Sequence, residues 1–154
     1  MNKPSLRERA LRHLSRRDYS RAELAVKLAP YGTDEEIEAI LNRMGELSLQ
    51  SDARMAENWV HSHAGRFGRA RLQSELTRRG LARELIEEAL AGSDMADELE
   101  RAHAVWQSRY SALPIDAREW ARQARFLLAR GFAAEIVRAV LRGKPKENME
   151  SGTL

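Results

Sequence analysis

The sequence predicts an all-α fold of three tandem three-helix repeats forming an elongated, curved array, and three observations predict it. The first is a pattern written twice. Leu76, Arg79, Gly80, Glu84, Leu85, Ile86 and Leu90 recur 51 residues later as Leu127, Arg130, Gly131, Glu135, Ile136, Val137 and Leu141. An echo lies upstream, where Arg21, Ala22, Leu24, Leu28 and Gly32 precede Arg69, Ala70, Leu72, Leu76 and Gly80 by 48 residues. Periods of this size mark stacked copies of one supersecondary unit. The second observation is composition: Ala, Leu, Arg and Glu dominate, with only 9 Gly and 4 Pro in 154 residues. Those are strong helix formers. The third is a set of helix-start signals. Ser5-x-x-Glu8, Ser20-x-x-Glu23 and Thr33-x-x-Glu36 read as capping boxes, and Asp116-x-x-Glu119 follows the same logic.

The first module is read over residues 5–49. Its three caps set helices over 6–15, 21–29 and 34–47, with Pro30, Gly32 and Gly45 near ends or in the turn. The second module, 51–92, opens at Ser51-Asp52. A helix over 53–63 gathers Met55, Ala56, Trp59, Val60 and His63 on one face. Gly65 and Gly68 bracket a break at Arg66-Phe67. A helix over 69–79 then carries Leu72 and Leu76 and ends on Gly80, read as a left-handed C-cap. Leu81, Leu85, Ile86, Ala89 and Leu90 stripe the next helix.

The third module, 94–142, repeats the plan with helices over 95–110, 117–130 and 132–141. Leu11, Trp59 and Trp106 each fall in the first helix of a module, and they are read as core with the other apolar stripes. The Pro-containing break at 111–115 is read as a point of flexibility between modules. The tail over 143–154, rich in Lys, Glu and Gly, is expected to be disordered. Modules of about 45 residues are too small to be robust alone, so neighbours must help bury their faces.

Composition excludes several chemistries. The chain has no cysteine, which removes disulfides, thiolate catalysis and Cys-based zinc sites together. The opening residues lack the apolar core of a signal peptide. No apolar run approaches the roughly 20 residues that span a bilayer. With 43% hydrophobic and 32% charged residues and a mean hydropathy of −0.57, a soluble, cytoplasmic protein without membrane association is expected.

Motifs for chemistry are missing too. No Gly-rich loop runs into Lys-Ser or Lys-Thr, and Gly65-Arg66-Phe67-Gly68 is too short to cradle phosphates. His61 and His63, two apart, point to different faces of a helix, whereas a zinc pair needs i,i+4 spacing and further ligands. His13 and His103 read as surface or helix-flank residues, and Asp52 as an N-cap beside Arg54. The serines are caps. The sequence therefore predicts no catalytic residue, no metal site and no cofactor.

Charge is more informative. The net charge is only +3, yet residues 3–21 hold seven basic against two acidic residues, and residues 66–83 hold six arginines against Glu75. The acids collect elsewhere, at Asp34-Glu35-Glu36-Ile37-Glu38 and Asp97-Glu98-Leu99-Glu100. Nearly all the positive charge is arginine, the planar donor that suits phosphate and carboxylate. A merely solvated surface is the plain alternative for any one cluster; recurrence across modules favours binding of a macromolecule.

The segment Ala10-Leu11-Arg12-His13-Leu14-Ser15-Arg16-Arg17-Asp18-Tyr19-Ser20-Arg21-Ala22-Glu23-Leu24 resembles the opening signature of the bacterial RecX regulatory proteins. Asp52-Ala53-Arg54, with the run from Gly68-Arg69-Ala70-Arg71-Leu72 to Arg79-Gly80-Leu81, is similar to that family's central stretch. Phe126-Leu127-Leu128-Ala129-Arg130-Gly131-Phe132 resembles its C-terminal signature. The likeness covers roughly residues 6–142. Ser48-Leu49-Gln50-Ser51-Asp52 departs from the family's pattern by one acid and one turn glycine, and Arg79 stands where lysine is frequent.

The resemblance implies a non-enzymatic modulator of the RecA recombinase. Such proteins lodge in the groove of the RecA–DNA filament, inhibit strand exchange and ATP hydrolysis, and also contact single- or double-stranded DNA. A monomer is expected. The residues taken as RecA- or DNA-binding candidates, by charge and module position, are Arg16, Arg17, Arg66, Arg69, Arg71, Arg78, Arg79, Arg122, Arg125 and Arg130. The alternative is a helix-turn-helix-like regulator acting directly on duplex DNA. Acid-bearing third helices argue against it.

Overall fold

Two of the expected capping boxes close in full. Glu23 N–H donates to Ser20 Oγ at 3.0 Å while Ser20 N–H donates to Glu23 Oε1 at 3.1 Å. Thr33 and Glu36 exchange the same pair of bonds at 3.2 and 3.3 Å. At Ser5 only the hydroxyl half forms, from Glu8 N–H at 3.1 Å. Asp116 accepts from Glu119 N–H at 2.8 Å, but the Glu119 carboxylate reaches Ile115 N–H instead.

These caps open four of the nine α-helices that the computed structural model shows among its described residues, 2–92 and 95–143. The helices are α1 (Leu6–Arg16), α2 (Arg21–Leu28), α3 (Asp34–Glu46), α4 (Asp52–His63), α5 (Arg69–Arg78), α6 (Arg83–Leu90), α7 (Met95–Gln107), α8 (Ala117–Ala129) and α9 (Ala134–Arg142). A 3-10 turn over Ala29–Tyr31 follows α2, and no strand occurs among these residues. The protein is all-α, built of three three-helix repeats. Apart from Gly143, the tail over 143–154 lies outside the described residues.

One compact unit comprises Met1–His63 and Leu72–Gly92. In it α1, α2 and α3 close on Ala10, Tyr19, Leu24, Leu28, Ile37, Leu41 and Met44. Met55, Ala56 and Val60 of α4, Leu72 and Leu76 of α5, and Leu81, Ile86 and Leu90 at and beyond the next turn are buried as well. Asp52 is not the N-cap expected of it. Ser51 Oγ takes that place, accepting from Arg54 N–H at 3.2 Å. Asp52 Oδ1 instead accepts from Arg21 N–H, at the start of α2, at 2.7 Å. In the turn before α4, Ser48 adopts φ +58°, the conformation that a glycine would favour. The Arg54 guanidinium holds it by donating to the Ser48 and Leu49 carbonyls at 3.0 and 3.2 Å.

The second unit comprises residues 64–71 and those from 93 onward. Here α7, α8 and α9 bury Ala102, Val105, Trp106, Ala124, Leu127, Phe132, Ile136, Val137, Val140 and Leu141. A buried amide stitches the helices: Trp106 Nε1–H donates to Gln123 Oε1 at 2.8 Å, and Gln123 Nε2–H donates to Ala112 O at 3.3 Å. The break at 111–115 therefore joins α7 to α8 inside this unit. It is tethered at Ala112, and it is not a joint between modules as the sequence suggested. Helix α7 stops at Gln107 rather than 110, because the Arg109 and Tyr110 amides both turn back to Trp106 O.

One joint occurs in each unit and accounts for the sequence echo. In the first, Ser20 Oγ–H donates to Arg79 O at 2.6 Å, and Gly80 (φ +80°) lies where any Cβ would sit 2.5 Å from the Ala22 Cβ. In the second, Gly68 N–H donates to Arg130 O at 2.8 Å, Ala70 N–H donates to Gly131 O at 3.2 Å, and Gly131 (φ +90°) faces Arg71. Each time the start of a repeat's second helix meets the glycine that ends the second helix of the next repeat.

Candidate functional site

The candidate residues are all arginines, and the two units hold their guanidinium groups differently. Among the described residues the first unit carries thirteen basic and fourteen acidic side chains, the second eleven arginines and six acids. The whole positive surplus of the described chain lies in the second unit.

In the first unit, Arg16 ends α1 and Arg17 follows it, and Arg78 ends α5 and Arg79 follows it. Arg17 and Arg79 share one carboxylate oxygen, Glu23 Oε2, each at 3.1 Å. Arg17 also lies over the Tyr19 ring at 3.6 Å, and Arg79 lies 5.4 Å from the Trp59 ring. The Arg79 Nε is buried with no hydrogen-bond partner among the described residues. Arg78 is exposed and bonds Glu75 at 2.6 Å, a surface pair of small energetic consequence. Arg16 is exposed. Partial burial pushes the Glu23 carboxyl up, but the Ser20 amide, the Arg17 hydrogen bond and the Arg17 and Arg79 charges outweigh it and hold it below the ordinary glutamate range. Burial, then the charges of Lys27, Arg16, Arg17 and Arg9, pushes His13 down.

Trp59 is not the core residue the sequence suggested. It is half-buried and stacks on His63, one turn along α4, with ring centroids 3.9 Å apart and planes at 12°. The pair lines a groove of about 460 Å³ with Arg17, Asn58 and Arg79. His13, read as a helix-flank residue, packs edge-on against Tyr19 at 5.5 Å.

In the second unit the predicted arginines divide by task. Arg71 donates to Ala129 O at 3.1 Å and lies over Phe67 at 4.3 Å, so its guanidinium braces the joint. The Arg69 amide donates to the buried Glu98 carboxylate at 3.2 Å. Arg66, Arg122 and Arg125 are exposed. Arg130 lies 5.2 Å from the Phe126 ring and Arg122 5.7 Å from the Tyr110 ring.

Arg109, absent from the sequence-predicted set, lies 5.0 Å from the Phe126 ring. The adjacency Arg109-Tyr110 beyond a helical Trp106 was its only signal. Arg101, also missed, donates to Ala64 O at 2.8 Å and shapes the turn before α5.

The chain matches RecX, first three-helix domain, over residues 7–44; RecX, second three-helix domain, over 51–90; and RecX, third three-helix domain, over 96–141. It is 44% identical over 155 residues to the regulatory protein RecX of Leptothrix cholodnii, covering 99% of this chain and 98% of that one. It is 42% identical over 140 residues to the regulatory protein RecX of Chromobacterium violaceum, covering 90% of each. The crystal structure of RecX from Lactobacillus salivarius superposes with a TM-score of 0.76 at 22% identity, over 89% of this chain and 92% of that one. None of the described helices is long and apolar enough to cross a membrane. With all three repeats matched in order and the likeness running nearly end to end, the chain belongs to the RecX family of regulatory proteins.

Proposed function

We propose that this chain binds the RecA–DNA nucleoprotein filament and inhibits RecA's strand exchange and ATP hydrolysis, acting as a cytoplasmic monomer without cofactor or chemistry of its own. Contact with single- or double-stranded DNA is secondary. The observation that carries the reading is the full-length likeness to regulatory proteins named RecX. The surplus of arginine in the second unit adds to it, because such a surface suits phosphate and acidic protein alike.

The structure changes the choice of test residues. Arg69 and Arg71 sit at the Gly68–Gly131 joint, so replacing them tests folding as well as binding. Arg66, Arg122 and Arg125 are exposed and are the better set. Co-sedimentation with RecA-coated single strands is the test. Wild type should pellet with the filament, and Arg66→Gln/Arg122→Gln/Arg125→Gln should pellet less at unchanged helicity. Failure of the wild type to pellet refutes the reading.

A helix-turn-helix regulator remains the competing proposal, and the exposed faces of the third helices of the first two repeats disfavour it. α3 presents Asp34, Glu35, Glu36 and Glu38, and α6 presents Glu84, Glu87 and Glu88, all of which phosphate would repel. A sequence-specific gel shift on duplex DNA without RecA would revive it.

A further inference from the structure

Three of the six described acids of the second unit are engaged by backbone amides. Asp116 and Glu119 accept from the Glu119 and Ile115 amides, and Glu98 accepts from the Arg69 amide. Arg109, Arg122 and Arg130 have no ion pair among the described residues. What holds them is aromatic. Tyr110 and Phe126 meet edge to face at 5.6 Å, both packed on the core of α7–α9. Arg109 and Arg130 flank the Phe126 ring, and Arg122 flanks that of Tyr110. A ring face attracts a cation without neutralising it, and the donor edge of the guanidinium stays available to an oxygen acceptor. Three charges, from the turn beyond α7, the middle of α8 and the turn beyond it, are thus gathered without a carboxylate partner among the described residues.

We propose that Arg109, Arg122 and Arg130, set about the Tyr110–Phe126 pair, form a sequence-independent binding patch for the phosphodiester backbone of nucleic acid. The patch deepens the filament reading by naming where nucleic acid is held, and it rests on that reading only for its cellular setting. Phosphate is favoured over a protein carboxylate because the site gathers several guanidinium groups without a carboxylate partner among the described residues, and a chain of phosphates can meet them together.

Fluorescence anisotropy with a labelled oligo(dT) strand, without RecA, tests it. Removing two phosphate contacts in Arg109→Gln/Arg122→Gln should lower the slope of log K against log salt by about 1.4, which is about 25-fold in affinity at 0.1 M salt. The control Arg138→Gln/Arg142→Gln removes equal charge from exposed positions on α9. It should leave affinity within about threefold of wild type, taking a phosphate contact as worth about fivefold at that salt. Equal losses in both variants overturn the patch in favour of diffuse attraction. An unchanged slope in the first variant overturns it outright, and so does polyglutamate competing as well as unlabelled oligo(dT). RecA ATPase measured in parallel separates the two claims. A wild type that binds oligo(dT) through the patch but never inhibits RecA sinks the filament reading alone; inhibition without patch-dependent binding sinks the patch alone.

Discussion

Gly80 and Gly131 combine a backbone that only glycine adopts cheaply with a neighbour that leaves no room for a methyl group. Left-handed φ costs an L-residue roughly 1–2 kcal/mol before any clash. Gly131→Ala should therefore destabilise by about 2 kcal/mol or more in urea unfolding, and Gly131→Val by more, since β-branching worsens the same conformation. Ser48 shows the opposite case. It holds φ +58° at an exposed turn, so Ser48→Gly should stabilise by about 0.5–1 kcal/mol. The glycine pair was legible as a repeat and Gly80 as a cap. The close approach of Ala22 and Arg71 was not, because it needs partners about 60 residues away that no local pattern announces. The intramolecular contacts of Arg71 and Arg79 were illegible for the same reason. Charge counting sees a cation, not the Ala129 carbonyl or Glu23 carboxylate that occupies it.

Ser20 shows how much one residue does for the elements around it. Its hydroxyl caps α2 by accepting from Glu23 N–H and ties α2 to α5 by donating to Arg79 O. A lost cap typically costs about 1 kcal/mol, and an unsatisfied buried carbonyl about 1–3 kcal/mol. Ser20→Ala should thus cost more than Ser5→Ala, where only the cap is at stake; thermal unfolding of the two variants checks the order.

Glu23 adds a pH dependence. Its folded pKa lies below its unfolded value, so the folded state binds the proton more weakly. Its contribution is fully present above the ordinary glutamate range, near about pH 4.3, and is lost as pH falls through the folded value. Stability measured from pH 6 downward should decline less steeply in Glu23→Gln than in wild type. Helix existence was readable throughout because caps and periodicity are local. Ends were missed at α7 and α9, where the chain turns back on Trp106 and where buried Phe132 precedes the helix.

For the molecule as a whole, repetition is the organising fact. Three three-helix repeats are joined by two copies of one joint that the 48- and 51-residue echoes encode, and the first and third each close on a core of their own helices. Fold class and family were both legible because those echoes and the three signatures are properties of sequence alone. The partition of charge was not. Clusters near the N-terminus looked as basic as those in the middle, and only the division into units shows that acids balance the first and not the second.

That imbalance underlies the proposed docking on a polyanionic filament, and the hydrolytic rate of the filament reports on it most directly. RecA ATPase on single-stranded DNA, titrated with this protein at two ionic strengths, should fall to a saturating low value, with more protein needed at the higher salt. A rate that stays flat across the titration at both salts would contradict the account.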